Sequence, residues 1–183
     1  MKTLQKLCAA LALAGLACSA QASGRMVITP SATSTTPGSS FSVDVRGADF
    51  TDIVVGGGFN LSFDASLLSL DSVVIDTSWE FARSGGLIDN ASGTLSDAYF
   101  NTFVSSPTGD FAVATLNFTA KAPGSSMLVL AASPNFPFAN LQAEVIDVDF
   151  GSARVTAVPE PATWATLLAG VALLGARRRT ARG

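Results

Sequence analysis

The sequence predicts an all-β protein: a two-sheet β-sandwich of eight or nine short strands, flanked by an N-terminal signal helix and a single C-terminal transmembrane helix. Three observations lead there. Apolar residues in the middle of the 183-residue chain recur with period two, the spacing that turns one face of a strand toward a core. Turn-forming runs such as TPGSS, SGG, NASG and APGSS separate these stretches, the rhythm of a sandwich or barrel. Long uncharged apolar runs lie at the two ends instead.

The N-terminal element, residues 1–22, carries Lys2 and Lys6, an apolar stretch from Leu7 to Ala17, and then Ala20-Gln21-Ala22. That order of basic, apolar and small residues reads as a secretory signal peptide cleaved after Ala22. Lipidation of Cys18 is the competing reading, although Gly15 stands where such sites carry Leu. Cleavage after Ala22 removes both Cys8 and Cys18. An exported domain without disulfides must then be held by packing alone.

Residues 23–157 form the expected sandwich, an ordinary length for one domain with a core. Phe41, Val43 and Val45 alternate with Ser42, Asp44 and Arg46, and Phe59, Leu61 and Phe63 with Asn60, Ser62 and Asp64. Ala114, Leu116, Phe118 and Ala120 alternate with Thr115, Asn117 and Thr119. A last strand places Ile146, Val148 and Phe150 opposite Asp147 and Asp149. DASLLSLDS is the one stretch that could make a helical turn, capped by Asp64.

Residues 158–183 form the tail. Val158-Pro159-Glu160-Pro161 precede an apolar run, 162–176, and an arginine-rich end, 177–183. Fifteen helical residues span about 22 Å, short of the roughly 30 Å hydrocarbon core. Trp164 at one interface and the arginines at the other would close the gap. With an exported N-terminus, Arg177, Arg178 and Arg179 act as the membrane stop-transfer and stay cytoplasmic. A buried core helix fits poorly, because nothing amphipathic breaks the run.

These three parts, in this order, resemble the PEP-CTERM sorting signal of Gram-negative bacteria. The resemblance implies an exosortase as partner, a membrane-embedded Cys protease that processes the chain near Pro-Glu-Pro. It implies an inner-membrane intermediate held transiently by the C-terminal helix, then a cell-surface or extracellular product in species that build polysaccharide biofilm matrix. The prolines keep the motif extended and accessible to a protease; Glu160 would be the recognised residue, not a catalyst.

The middle carries a second resemblance. VVGGGFNLSFDASLLSLDSVVID, then GGLIDNASGTLSDAYFN, then TGDFAVATLNFTAKAPGSSMLVL resemble, block by block, the cohesin domain and related carbohydrate-binding sandwiches. Phe63-Asp64-Ala65 keeps the family's aromatic-Asp turn and lacks its Pro. The resemblance implies a cohesin-like jelly roll and, as partner, a dockerin-like protein or an exopolysaccharide. It carries over no contact residue.

Composition narrows the chemistry. Residues 23–157 hold thirteen Asp plus Glu against five Lys plus Arg, a net charge of −8. Nucleic acid is excluded as a partner, since phosphate binding needs a basic surface. The chain has no His, and the domain no Cys, which removes Ser-His-Asp and Cys-His catalysis and imidazole or thiolate metal sites. Paired-carboxylate glycoside hydrolysis needs only two acids, such as Glu80 and Glu144. Nothing in the spacing brings a pair together, and we expect no catalytic residue.

No cofactor is required, and calcium is the ion to consider. Asp147 and Asp149 share a strand face and Asp49 and Asp52 form a looser pair, both of a type calcium accepts, but the D-x-D-x-D-G loop is absent. Trp79 and Tyr99 are candidate carbohydrate contacts, amphipathic rings of the kind that stack on sugars. For Trp79 the alternative, and the favoured reading, is that it and Phe81 fold back over the core. Asn60, Asn90 and Asn117 head glycan-acceptor triplets.

Overall fold

The computed structural model describes residues 22–159. The expected signal peptide up to Gln21, Glu160, Pro161, the helix 162–176 and Arg177–Arg179 lie outside the described residues. Twelve strands follow in order: β1 (Gly24–Thr29), β2 (Ala32–Thr35), β3 (Ser40–Phe50), β4 (Gly56–Ser62), β5 (Leu68–Ile75), β6 (Ala82–Ser84), β7 (Leu87–Asp89), β8 (Thr94–Asn101), β9 (Gly109–Ala120), β10 (Gly124–Ala132), β11 (Val148–Phe150) and β12 (Ser152–Ala157). They form two facing sheets. The first has the order β11-β1-β3-β9-β5; the second runs β2-β12-β10-β4-β8-β6, with β7 also on β8.

The count exceeds eight or nine because both terminal segments change sheets, which adds two strands, and because two three-residue pieces, β6 and β7, pair separately on β8. β1 passes through Pro30 and Ser31 into β2, while β11 passes through Gly151 into β12. The two run parallel throughout, β1 on β11 and β2 on β12. At the crossing the Gly151 N–H donates to the Met26 carbonyl at 2.9 Å and the Arg154 N–H to Ser31 at 2.9 Å. The expected 146–150 strand is accordingly only a three-residue edge piece, with Ile146 buried ahead of it.

Alternation does its work in β3 and β9. Val43, Val45, Leu116 and Phe118 are fully or almost fully buried and face Phe59, Leu61, Leu95, Phe100, Leu128 and Val155 of the other sheet in one cluster. Burial of each such side chain contributes about 1.5–3 kcal/mol. Their polar alternates pair across strands on the outer face. The Ser42 hydroxyl donates to Asn117 Oδ1 at 2.7 Å, Thr115 to Asp44 at 2.8 Å and Thr119 to Asp71 at 2.7 Å.

No helix forms at DASLLSLDS: Asp64 caps a single turn and Leu68 already begins β5. β5 is an edge strand, and Asn90 covers part of that edge. Its carboxamide accepts from the Leu70 N–H at 2.8 Å and donates to the Leu70 carbonyl at 3.0 Å, doing what a neighbouring strand would do. The amide nitrogens of Asn60 and Asn117 are also engaged, on Ala132 O and Ser72 Oγ. All three glycan-acceptor asparagines thus serve the fold.

Turns are fixed by carboxylates. Asp64, Asp76 and Asp89 accept from the hydroxyls of Ser66, Ser78 and Ser92 at 2.6, 2.6 and 2.8 Å. These hydroxyls, and then nearby backbone N–H groups, hold the three carboxyls below the ordinary aspartate value of 3.8. The folded state therefore binds fewer protons than the unfolded one, and the stabilisation is lost as pH falls through the folded values. Tm is expected to stay level from neutral pH to about 5 and to drop below about 4. Changing the three aspartates to Asn should lower Tm at neutral pH and flatten the acid limb; an unchanged limb in a pH series of thermal melts would refute the assignment.

Candidate functional site

β8 alternates until it reaches a bulge. Leu95 faces the core, then Ser96 and Asp97 together oppose Asn60, and Ala98 and Phe100 face inward again. Asp97 has φ +56°, a left-handed conformation that Asp tolerates better than most residues. The Asn60 carboxamide oxygen accepts its N–H at 2.7 Å. The bulge puts Tyr99 on the outer face of the second sheet, half-buried and opposite Gly58.

The three glycines that open β4 make room for what covers Tyr99. A Cβ on Gly58 would lie 2.6 Å from Phe136 Cβ, and one on Gly57 would lie 2.6 Å from the Phe138 ring. Without those atoms, the segment after β10 lies against β4, and Ala139 exchanges backbone hydrogen bonds with Val55 and Gly56. Phe136 then stacks on Tyr99 with centroids 4.3 Å apart and planes 20° from parallel, while Phe138 is buried against Phe50 and Phe100.

Beside this stack is an open cleft of about 330 Å³ lined by Gly56, Phe81, Tyr99, Asn101, Asn135 and Phe136 among others. That is the small end of ligand-site volumes, about 300–1,000 Å³. Phe81 continues the aromatic surface outward, meeting Phe103 edge-on at 4.6 Å. The pair is 66% and 61% exposed, an unusual cost for two phenyl rings in water.

Two carboxylates flank the strip. On the Phe81 side, Glu80 lies 2.7 Å from the Thr102 hydroxyl and accepts the Val104 N–H at 3.2 Å. On the Tyr99 side, Asp97 accepts from Ser133 Oγ at 2.6 Å and Asn135 Nδ2 at 2.9 Å. The Thr102 hydroxyl holds Glu80 below its ordinary value, and Ser133 and Asn135 do the same for Asp97. Both are anionic at neutral pH. A general acid requires the opposite shift, and Glu144 is occupied in its own loop with Asn140. The cleft offers flat rings and carboxamides, with the two carboxylates just outside its lining, which are means of holding a ligand.

Of the residues singled out from sequence, Tyr99 lies in the cleft and Trp79 does not. Trp79 is 1% exposed, packs on Phe100 and Phe111, and donates its indole N–H to Ala112 O at 2.9 Å. Trp79 is a core residue, and its role as a carbohydrate contact is withdrawn. Asp147 and Asp149 are exposed on the edge of the first sheet, away from the cleft, with Asp149 in register with Arg25. Arg25 in turn pairs with Asp49 at 2.6 Å. Among the described residues no three acidic, His or Cys side chains gather as a metal would need.

Val158 and Pro159 leave β12 at the surface, the Val158 N–H still donating to Thr35 O at 2.9 Å. Sequence reasoning missed Phe136, Asn101, Asn135 and Asp97, and it expected Phe81 to fold over the core with Trp79, whereas Phe81 is exposed and lines the cleft. The consecutive glycines within a strand were the available signal, since such residues mark close approach by another backbone or ring.

The architecture is that of a cohesin-like β-sandwich. It resembles the cohesin module of a family 33 glycoside hydrolase from Clostridium perfringens, with TM-score 0.61 and 14% identity over 76% of this chain and 100% of that one. It is likewise similar to a cohesin solved in a type I cohesin–dockerin complex from Clostridium thermocellum (TM-score 0.58, 13% identity, 73% and 99% covered). A non-cellulosomal cohesin from Archaeoglobus fulgidus gives 0.58 and 12%, with 78% and 97% covered. At these identities the likeness is one of fold. Residues 157–179 match the family model described as the PEP-CTERM protein-sorting motif. The chain thus joins a cohesin-like sandwich to a PEP-CTERM tail; comparison with curated protein sequences finds no match.

Proposed function

We propose that this protein is an exported, non-catalytic association module, delivered by an exosortase to the cell surface or extracellular matrix, that binds polysaccharide through the cleft at Tyr99 and Phe136. In this reading residues 1–22 direct export, and the tail, with its motif Val158, Pro159, Glu160 and Pro161, holds the protein in the membrane until it is processed. Arg177, Arg178 and Arg179 stop its transfer. One observation carries the proposal. The sorting motif begins where β12 ends, while the aromatic cleft lies on β8, three strand spacings across the same sheet, or about 14 Å. Tether and binding surface are therefore separated on one rigid element.

The test has two arms. In an exosortase-bearing host, the full chain and a chain ending at Ala157 should differ in location and processing; identical fates would remove the sorting step. In affinity electrophoresis through the host's exopolysaccharide, the protein should be retarded, and Tyr99→Ala with Phe136→Ala should restore free mobility. A protein partner, dockerin-like as in the Clostridium thermocellum complex, is the second reading. It is favoured by Met127 and Val129, each 42% exposed on the outer face of β10. Retained polymer binding after both are changed to Ser would separate the two surfaces.

A further inference from the structure

We infer that the cleft selects polymers of amine-bearing hexoses over neutral or uronate-bearing ones, with Asp97 supplying the counter-charge; the inference rests on the polysaccharide reading above. Tyr99 and Asp97 are next-but-one neighbours beside the β8 bulge, and Asn135 joins them, lining the cleft and bonding Asp97. Asp97 stands just behind the lining, bonded to Asn135, so its charge reaches a sugar in the cleft from beside that carboxamide. An ionised carboxylate offers about four acceptor positions, and Ser133 and Asn135 occupy two of Asp97's.

Charge around the cleft points one way. Asp97 and Glu80 stand just outside its lining, Asp97 bonded to the lining Asn135 and Glu80 next in sequence to the lining Phe81, and among the described residues no basic side chain lines it. Arg83, the nearest cation in sequence, is turned away, its Nη1 donating to Trp79 O at 2.8 Å. Arg154 stands on β12, across the sheet. The domain's charge of −8 adds a background field of the same sign. A uronate would be repelled, a neutral hexose tolerated, and an ammonium substituent drawn both to Asp97 and to the faces of the rings.

A matched polymer series tests this: cellulose, chitosan and C6-oxidised cellulose share a backbone and differ in a hydroxyl, an amine and a carboxylate. Co-sedimentation of full-length protein in mild detergent, at about pH 5.5 where carboxylates stay ionised, should give the order chitosan, cellulose, oxidised cellulose. Asp97→Asn should weaken chitosan binding about tenfold and cellulose binding several-fold less, so that the chitosan-to-cellulose ratio falls. Asp71→Asn, the same charge change on the outer face of the first sheet, should leave both unchanged.

Equal binding of chitosan and cellulose, or equal losses from Asp97→Asn and Asp71→Asn, would overturn the charge selectivity while the cleft reading stands. Failure to bind any of the three polymers would overturn the inference, while retardation in the host's exopolysaccharide decides the polysaccharide reading itself. Retention of poly-lysine in a Tyr99- and Asp97-dependent way, with chitosan ignored, would overturn the inference in favour of a basic polypeptide partner.

Discussion

Replacing Trp79 with alanine is expected to lower the unfolding free energy by about 3–5 kcal/mol, measured as a shift in the urea midpoint at constant slope. The indole is 1% exposed and lies 4.4 Å from the Phe100 ring and 5.5 Å from Phe111. Truncation removes the dispersion contacts of the largest side chain in the core and leaves a cavity between sheets of fixed spacing. It also leaves the Ala112 carbonyl without the donor it has at 2.9 Å. For a domain with a total stability of about 5–15 kcal/mol, that is a large share. Trp79→Phe should lose less, and Tyr99→Ala should barely move the midpoint. A Trp79→Ala protein with unchanged stability and lost polymer binding would return Trp79 to the surface.

Gly58→Val is the second large effect. A Cβ at Gly58 would meet Phe136 Cβ at 2.6 Å and the Ala98 carbonyl at 2.9 Å. The Ala98 carbonyl belongs to the neighbouring strand and moves little, so Phe136 must give way. We expect about 1–3 kcal/mol of destabilisation from the forced repacking and loss of the stacked wall on which retention by polysaccharide depends. Gly109→Asn is the control: its φ of +71° suits Asn, and nothing lies within 4 Å of the added atom. Retardation that survives Gly58→Val would show that the ligand sits elsewhere.

The contrast between these two positions shows what could be read in advance. β3 and β9 were legible because each has one dry face and one wet face, so composition alternates with geometry. The glycines of β4 carry no such label, and whether they face a ring or water depends on a segment nearly eighty residues away. LSDAYF loses its alternation at Asp97 because the bulge inserts an extra residue. DTSWEFARSGG has no period, and the burial of Trp79 comes from Phe100 and Phe111, which no local pattern specifies. The sheet crossings at Pro30–Ser31 and Gly151 were hidden for a similar reason: they are matched to each other rather than to their neighbours in sequence.

β12 runs into the sorting motif with nothing between them: Ala157 is buried and paired with Gly124 and Thr35, and the next N–H is still bonded to Thr35. No spacer separates the folded sheet from the motif, so a protease acting there would have to work within a few residues of the last buried strand.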